Sequence, residues 1–238
     1  MPKKTFKEVS GNSYPMRINK YLAFKKISTR RGADLLVENK KVFINDKLAV
    51  LGSKVLELDK VEVRGAKQKE YKYFAYNKPV GIETGFPKEG FFPLGRLDKN
   101  SHGLLILTND GRITDSLLNP KYFHEKEYTV RTSNKLRGSF KQKMETGVNI
   151  EGYITKKCKV KIINDFTFRI ILTEGKKHQI RRMCSALFQE IADLKRERIM
   201  NIKLGNLKPG ALREIKGEEL DTFLETLGLT PSLRERLF

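Results

Sequence analysis

Four consecutive apolar residues, Leu104-Leu105-Ile106-Leu107, stand between Gly103 and the turn sequence Asn109-Asp110-Gly111. A run this short, bounded on both sides by turn residues, reads as a strand buried on both faces, so a layered sheet has to be built around it. Immediately upstream, Gly95-Arg96-Leu97-Asp98 sets one carboxylate in a polar, glycine-bracketed segment at the strand's entrance. Loops held at strand ends are where binding and catalytic side chains concentrate. On the residues alone, Asp98 reads equally well as a turn aspartate that caps a neighbouring amide.

The partner class follows from charge. Among 238 residues, 48 are Lys or Arg and 28 are Asp or Glu, a net charge of +20. An excess of this size points to a polyanion, against the plainer reading of a solvated surface. It is not confined to a tail: residues 1–70 carry 17 basic and 8 acidic side chains, a net +9, and the remainder carries +11. Cys158 and Cys184, with His102, His124 and His178, form no metal-ligand spacing, so the thiols are expected reduced and no metal is expected. No apolar run approaches the roughly 20 residues of a membrane-spanning helix, and residues 1–13 lack the apolar core of a secretory signal. A cytoplasmic monomer is expected, with no membrane partner.

Residues 1–15 read as a flexible basic arm ending near Pro15. Beyond it, Ile18, Leu22 and Ala23 recur at helical spacing, and Ser28 and Thr29 are N-cap candidates for a second helix carrying Ala33, Leu35, Leu36 and Val37. Short strands follow at residues 42–44 and 61–63, with a turn at residues 45–47. Arg17, Lys20, Lys25, Lys26, Arg30 and Arg31 gather on the two helices and the loop between them, a pattern suited to phosphates. Residues 65–70 read as a linker, and residues 71–238 as a second domain. That domain carries a strand at residues 73–76, a turn at residues 77–81, helices near residues 112–118, 136–146 and 177–188, and strands near residues 127–131, 157–163, 167–172 and 199–204. A last helical pattern covers residues 217–227. Strand follows strand too often for a regular parallel repeat, so the expected fold is α+β, a largely antiparallel mixed sheet flanked by helices.

The segment running from Gly95 through Asp98 to the buried strand resembles the signature of the RsuA/RluB/RluF type of ribosomal-RNA pseudouridine synthases. Three further segments match in the same order: residues 76–81 (Tyr-Asn-Lys-Pro-Val-Gly), Lys126-Glu127-Tyr128, and residues 172–183 around His178-Gln179-Ile180-Arg181. Residues 16–64 resemble an S4-type RNA-binding domain, through Arg17-Ile-Asn-Lys20-Tyr-Leu-Ala23 and Val42-Phe-Ile-Asn-Asp-Lys47. Residues 124–128, 155–158, 181–184 and 198–201 look most like the RluF subtype, which acts on large-subunit ribosomal RNA. Lys176-Lys177-His178 departs from the commoner Arg-Asn-Arg-like run.

The resemblance implies isomerisation of uridine to pseudouridine without a cofactor. Asp98 is the implied catalytic residue, acting at the ribose C1′ by direct attack or by promoting a glycal. Tyr128 is implied to stack on the flipped uracil beside the carbon that loses a proton. Arg181 is implied to hold Asp98 ionised and oriented. Arg96 is implied to fill the space that a flipped base leaves. Lys78, in a Lys-Pro turn that would position the catalytic loop, is grouped with His178 and Arg182 as an RNA contact. The implied partner is large-subunit ribosomal RNA, with transfer RNA, or both, as the alternative. A non-catalytic RNA-binding assembly factor is the reading from a different class, and it leaves an aspartate inside a basic surface without a purpose.

Overall fold

The computed structural model describes residues 14–65, 70–85 and 88–229. The expected basic arm falls outside them apart from Tyr14 and Pro15, and of the expected linker only Gly65 and Glu70 are described. Two compact units are present: one ends at Glu70 and also takes in Leu229, the other runs from Tyr71 to Gly228.

The first unit contains β1 (Met16–Arg17), α1 (Ile18–Phe24), α2 (Arg30–Glu38), β2 (Val42–Ile44), β3 (Lys47–Leu48), β4 (Lys54–Val55) and β5 (Val61–Val63). Thr29 starts α2 as its side chain accepts a hydrogen bond from the Gly32 amide at 3.0 Å. The apolar face of each helix points inward: Ile18 and Leu22 meet Ala33 and Val37 over Val42, Ala49 and Val55. Strand β2 sits between β3 and β5. Asn45 and Asp46 take positive φ angles of 47° and 64°, which closes the two-residue β2–β3 hairpin.

The second unit is built on one sheet. Its elements are β6 (Tyr73–Lys78), β7 (Phe92–Leu94), β8 (His102–Thr108), α3 (Thr114–Leu118), β9 (Lys126–Thr132), α4 (Phe140–Thr146), β10 (Asn149–Ile150), β11 (Tyr153–Ile154), β12 (Lys159–Asn164), β13 (Thr167–Leu172), α5 (Gln179–Ala186), β14 (Ile191–Ile199), β15 (Ile202–Lys203), β16 (Leu212–Glu214) and α6 (Gly217–Thr226). The strand order is β12-β13-β9-β14-β8-β6-β16, with β7 on β8 and β15 on β14. Only the β14–β8 pair is parallel, so the sheet is mixed and largely antiparallel as expected.

The apolar run lies in β8, near the middle of this sheet, and all four of its side chains are at most 1% exposed. Full burial of four such groups stabilises the unit by roughly 1.5–3 kcal/mol each. The Asn-Asp-Gly turn does more than end the strand. Asp110, fully buried, accepts from the Arg112 amide and guanidinium and from the Tyr73 hydroxyl, while the guanidinium stacks on Tyr71 at 3.9 Å. Helices α4 and α5 cover β9 and β13 through Phe140, Met144, Ile180, Met183 and Cys184 on Val130, Phe168 and Ile170.

Two sequence expectations need correction. Residues 199–204 are not one strand: β14 ends at Ile199, and β15 turns back from Ile202. The real strand, Ile-Ala-Asp-Leu-Lys-Arg-Glu-Arg-Ile, is hidden by its charges, because several of its polar side chains serve the site or its neighbours rather than solvent. Residues 136–139 likewise precede α4 rather than belong to it. Among the described residues, no helix is long and apolar enough to cross a membrane.

Candidate active site

Asp98 lies in the connection from β7 to β8, a segment without regular structure of its own, so its position depends on what grips the neighbouring backbone. Thr84 holds Leu97 in both directions, its hydroxyl donating to the carbonyl at 2.7 Å and accepting from the amide at 3.1 Å. Lys78 places its ammonium against the carbonyls of Pro79, Lys99 and Ser101, at 2.9, 3.3 and 2.8 Å. Arg181 donates to the Asn100 carbonyl at 2.9 Å and to the Ser101 hydroxyl at 3.1 Å. Arg196 donates to the Gly95 carbonyl at 2.6 Å and to the Leu104 carbonyl at 2.7 Å, tying both ends of the segment to β14. Charge-assisted bonds of this kind are roughly twice as strong as neutral ones. The loop is therefore fixed before any ligand arrives.

Gly103 makes the Arg196 tie possible. It pairs with Arg196 across the parallel β8–β14 contact at φ +100°, and a Cβ there would lie 2.4 Å from the Arg196 carbonyl oxygen. Only glycine lets the strands approach this closely.

The Asp98 carboxylate faces an imidazole and a guanidinium at different ranges. His178 Nε2 is 3.2 Å from Oδ1, and Arg181 Nε is 4.0 Å from Oδ2. The expected Arg181 pairing is present, but it is not a bidentate clamp, because the guanidinium's other nitrogen holds the loop backbone. His178 reaches Asp98 from a left-handed backbone, φ +52°, at the residue that opens α5. Glu174 organises this helix start. Its buried carboxylate accepts from the Tyr153 hydroxyl at 2.6 Å, from the Gln179 amide nitrogen at 2.6 Å and from the Lys156 amide at 3.0 Å.

These groups line a cavity of about 710 Å³, within the usual size for a small-molecule or nucleoside pocket. Its wall holds Asp98, Arg96, Tyr128, His178 and Arg181 together. Seven Lys or Arg residues line it against three carboxylates, Glu83, Asp98 and Glu174, and Glu174 is already saturated with donors. Such a concave basic wall focuses potential on an anionic ligand.

Two residues grouped with the RNA contacts are placed elsewhere. Lys78 is 1% exposed, and its three carbonyl partners together with burial, the larger effect, which lowers its pKa against the pull of Asp98, make it a loop support rather than a phosphate contact. Arg182 turns to the β10–β11 connection, donating to the Ile150 carbonyl at 3.1 Å and to Glu151 at 2.6 Å, and does not line the cavity. In the first unit, Arg17, Lys25, Arg30 and Arg31 are exposed, and Lys20 and Lys26 are half-buried.

Two cavity residues escape sequence reasoning. Arg196 sits in a strand disguised by charge, and its signal, Gly103 beside a buried run, appears only once the strand pairing is known. Lys126 stands two residues before Tyr128, the strand spacing that puts both on one face, and that alternation is readable. It is 8% exposed, and burial first, then the Arg196 charge, lower its amine to about pKa 8.

Comparison with known proteins shows the family. Residues 72–186 match the RNA pseudouridylate synthase family model. The chain is 40% identical over 223 residues to the dual-specificity RNA pseudouridine synthase RluF of Salmonella typhi, covering 86% of this chain and 77% of that one. Against the ribosomal large subunit pseudouridine synthase B of Bacillus subtilis it is 32% identical over 228 residues, 86% of this chain and 93% of the relative. A crystal structure of a pseudouridylate synthase superposes with a TM-score of 0.65 at 25% identity, covering 89% of this chain and 99% of the other. The chain therefore belongs to the RNA pseudouridine synthases, in the RluF-like branch of the RsuA/RluB/RluF family.

Proposed function

We propose that this isomerase converts a specific uridine of large-subunit ribosomal RNA to pseudouridine, with Asp98 acting at the ribose C1′. The observation that carries the reading is Asp98 held between His178 and Arg181 on the wall of the basic cavity that Tyr128 also lines. A base must leave its stack to enter such a cavity. Arg96, exposed on the rim beside Asp98, has the planar cationic head to occupy the vacated space and touch phosphate. Asp98 then either attacks C1′ or promotes loss of the C2′ proton. The C1′–N1 bond breaks with its electrons passing to the uracil, which turns and rejoins C1′ through C5 as the Asp98–C1′ bond breaks or, on the glycal route, as a proton returns to C2′. Loss of the C5 proton, with Tyr128 beside the ring, and uptake of a proton at N1 complete an isomerisation that consumes nothing and calls for no cofactor.

Hydrolysis of the glycosidic bond is the reaction to be avoided. Ordinary glycoside hydrolysis uses two carboxylates flanking the bond, and here the buried carboxylate of the cavity, Glu174, has its oxygens occupied by Tyr153, Gln179 and Lys156. The non-catalytic assembly factor gives way to membership in an enzyme family. A second RNA substrate, transfer RNA, is kept because the RluF relatives bear the description dual-specificity. The exposed cations of the first unit, Arg17, Lys25, Arg30 and Arg31, with Lys20 and Lys26, are assigned to phosphates of the RNA in an S4-like module.

The test is tritium release from RNA labelled at uridine C5, wild type against Asp98→Asn, with the product mapped by carbodiimide-dependent reverse-transcription stops. Wild type should release label and give a stop in large-subunit RNA, and Asp98→Asn should lose at least about 10³-fold in turnover while binding RNA as before. Turnover near wild type in Asp98→Asn would remove that residue from the chemistry. Release from transfer RNA alone would keep the reaction and replace the substrate.

A further inference from the structure

Four Lys or Arg side chains are buried among the described residues: Lys78, Arg112, Lys126 and Arg196. Three hold hydrogen bonds from their charged groups to the protein. Lys78 has three carbonyls, Arg112 has Asp110, and Arg196 has the Gly95 and Leu104 carbonyls. Lys126 has neither a hydrogen bond nor an ion pair among the described residues, although more than nine-tenths of it is buried. Its stem is buried while its ammonium opens onto the cavity without a protein partner, and a partly desolvated cation facing a cavity is placed to take its missing acceptor from a ligand. Lys126 lines the cavity from the same face of β9 as Tyr128, with Arg196 opposite Tyr128 on β14. The acceptor must therefore belong to whatever lies against Tyr128.

We propose that Lys126 is the cation that receives the negative charge of the uracil when its bond to the ribose breaks. This rests on the reading of the cavity given above. As the C1′–N1 bond opens, its electron pair moves onto the ring and is shared by N1 and the two carbonyl oxygens. An N–H of Lys126 donates to one of those oxygens and meets the charge where it accumulates. When C5 bonds to C1′ the ring is neutral again; the C5 proton then leaves while N1 takes one up, and the lysine has neither gained nor lost a proton. A donor fixed in a desolvated site before charge develops is the arrangement that lowers such a barrier most. With its amine at about pKa 8, Lys126 remains mostly protonated at neutral pH, as a charge acceptor requires and a proton abstractor would not. Holding the anionic base in place also keeps it from escaping before it rejoins the sugar.

The experiment is single-turnover conversion of an RNA carrying either uridine or 5-fluorouridine at the target, by wild type, Lys126→Met and Lys126→Arg. Removing one such donor should slow uridine conversion by about 10²–10³-fold with RNA affinity changed less than about threefold. Fluorine stabilises the same ring anion, so the Lys126→Met deficit should shrink at least about tenfold on 5-fluorouridine. Lys126→Arg keeps the charge and should stay well above Lys126→Met on uridine. Equal deficits on the two substrates, or a deficit confined to affinity, would overturn the proposal, the latter in favour of a phosphate contact. Arginine as inactive as methionine, with both proteins folded, would assign Lys126 to proton removal from C5 instead. A wild type that rearranges neither substrate would overturn the functional reading itself and this inference with it.

Discussion

Replacing Lys126 by methionine should make the protein more stable at neutral pH. Methionine matches the lysine's aliphatic length and leaves no partly desolvated, unpaired charge on the cavity wall, so the wall is kept while the electrostatic penalty disappears. The penalty can be sized by linkage: burial, aided by Arg196, takes the amine from 10.5 to about 8, and 1.36 kcal/mol per pKa unit makes this about 3 kcal/mol. Below pH 8 both folded and unfolded chains hold the proton, and folding bears the whole cost. Between pH 8 and 10.5 the unfolded chain holds more protons than the folded one, so wild-type stability from this group rises with pH. Above 10.5 the amine is neutral in both states, and the cost is gone. Urea unfolding at pH 7, 9 and 10.5 should thus show Lys126→Met ahead by about 1–3 kcal/mol at pH 7, the advantage shrinking steadily toward pH 10.5. At pH 7 that corresponds to a midpoint rise of roughly 2–12 °C for a domain of this size. A variant no more stable than wild type at pH 7, or an advantage independent of pH, would refute the claim that Lys126 is buried without a partner. Together with impaired turnover, the expected gain identifies a residue retained for chemistry at the expense of stability.

Gly103→Ala should destabilise the second unit by about 3–5 kcal/mol, because a Cβ at φ +100° would stand 2.4 Å from the Arg196 carbonyl; a thermal midpoint unchanged from wild type would contradict the close β8–β14 approach. Cys158 and Cys184 are both pushed up to about pKa 12, mainly by burial, so a disulfide reagent in mildly alkaline buffer should label the folded protein far more slowly than the urea-unfolded chain, and rapid labelling of both thiols would refute their burial. Arg30→Gln with Arg31→Gln should weaken RNA binding and flatten the dependence of log K on log salt by about 0.7–0.9 for each phosphate that is no longer neutralised; an unchanged slope would remove the start of α2 from the RNA interface.

The parts legible in the sequence are those where local chemistry and tertiary role coincide. Strand β8 announces itself because its residues are apolar on both faces, and Thr29 marks the start of α2 because an N-cap is a property of a few consecutive residues. Asp98, Arg181 and His178 come from segments about 80 residues apart in the sequence that the fold brings within 4.0 Å, and it is the order of their motifs, not any physical pattern, that links them. The grip on the Asp98 loop is legible only in part: the Lys-Pro turn at Lys78 points to a positioning role, whereas Arg196 looks like a surface cation in a chain of net charge +20, since nothing local says that backbone carbonyls from a distant loop will surround it. The same blindness explains Lys126: composition counts it as one more positive charge toward a polyanion, whereas burial without a partner gives it a different physics. An exposed lysine meets phosphate with a fully hydrated ammonium and contributes to affinity. A desolvated one interacts far more strongly with charge placed beside it, and it contributes where that charge appears only during the reaction. In a strongly basic RNA enzyme the residues that bind and the residues that catalyse can therefore share a side-chain type, and what separates them is access to water.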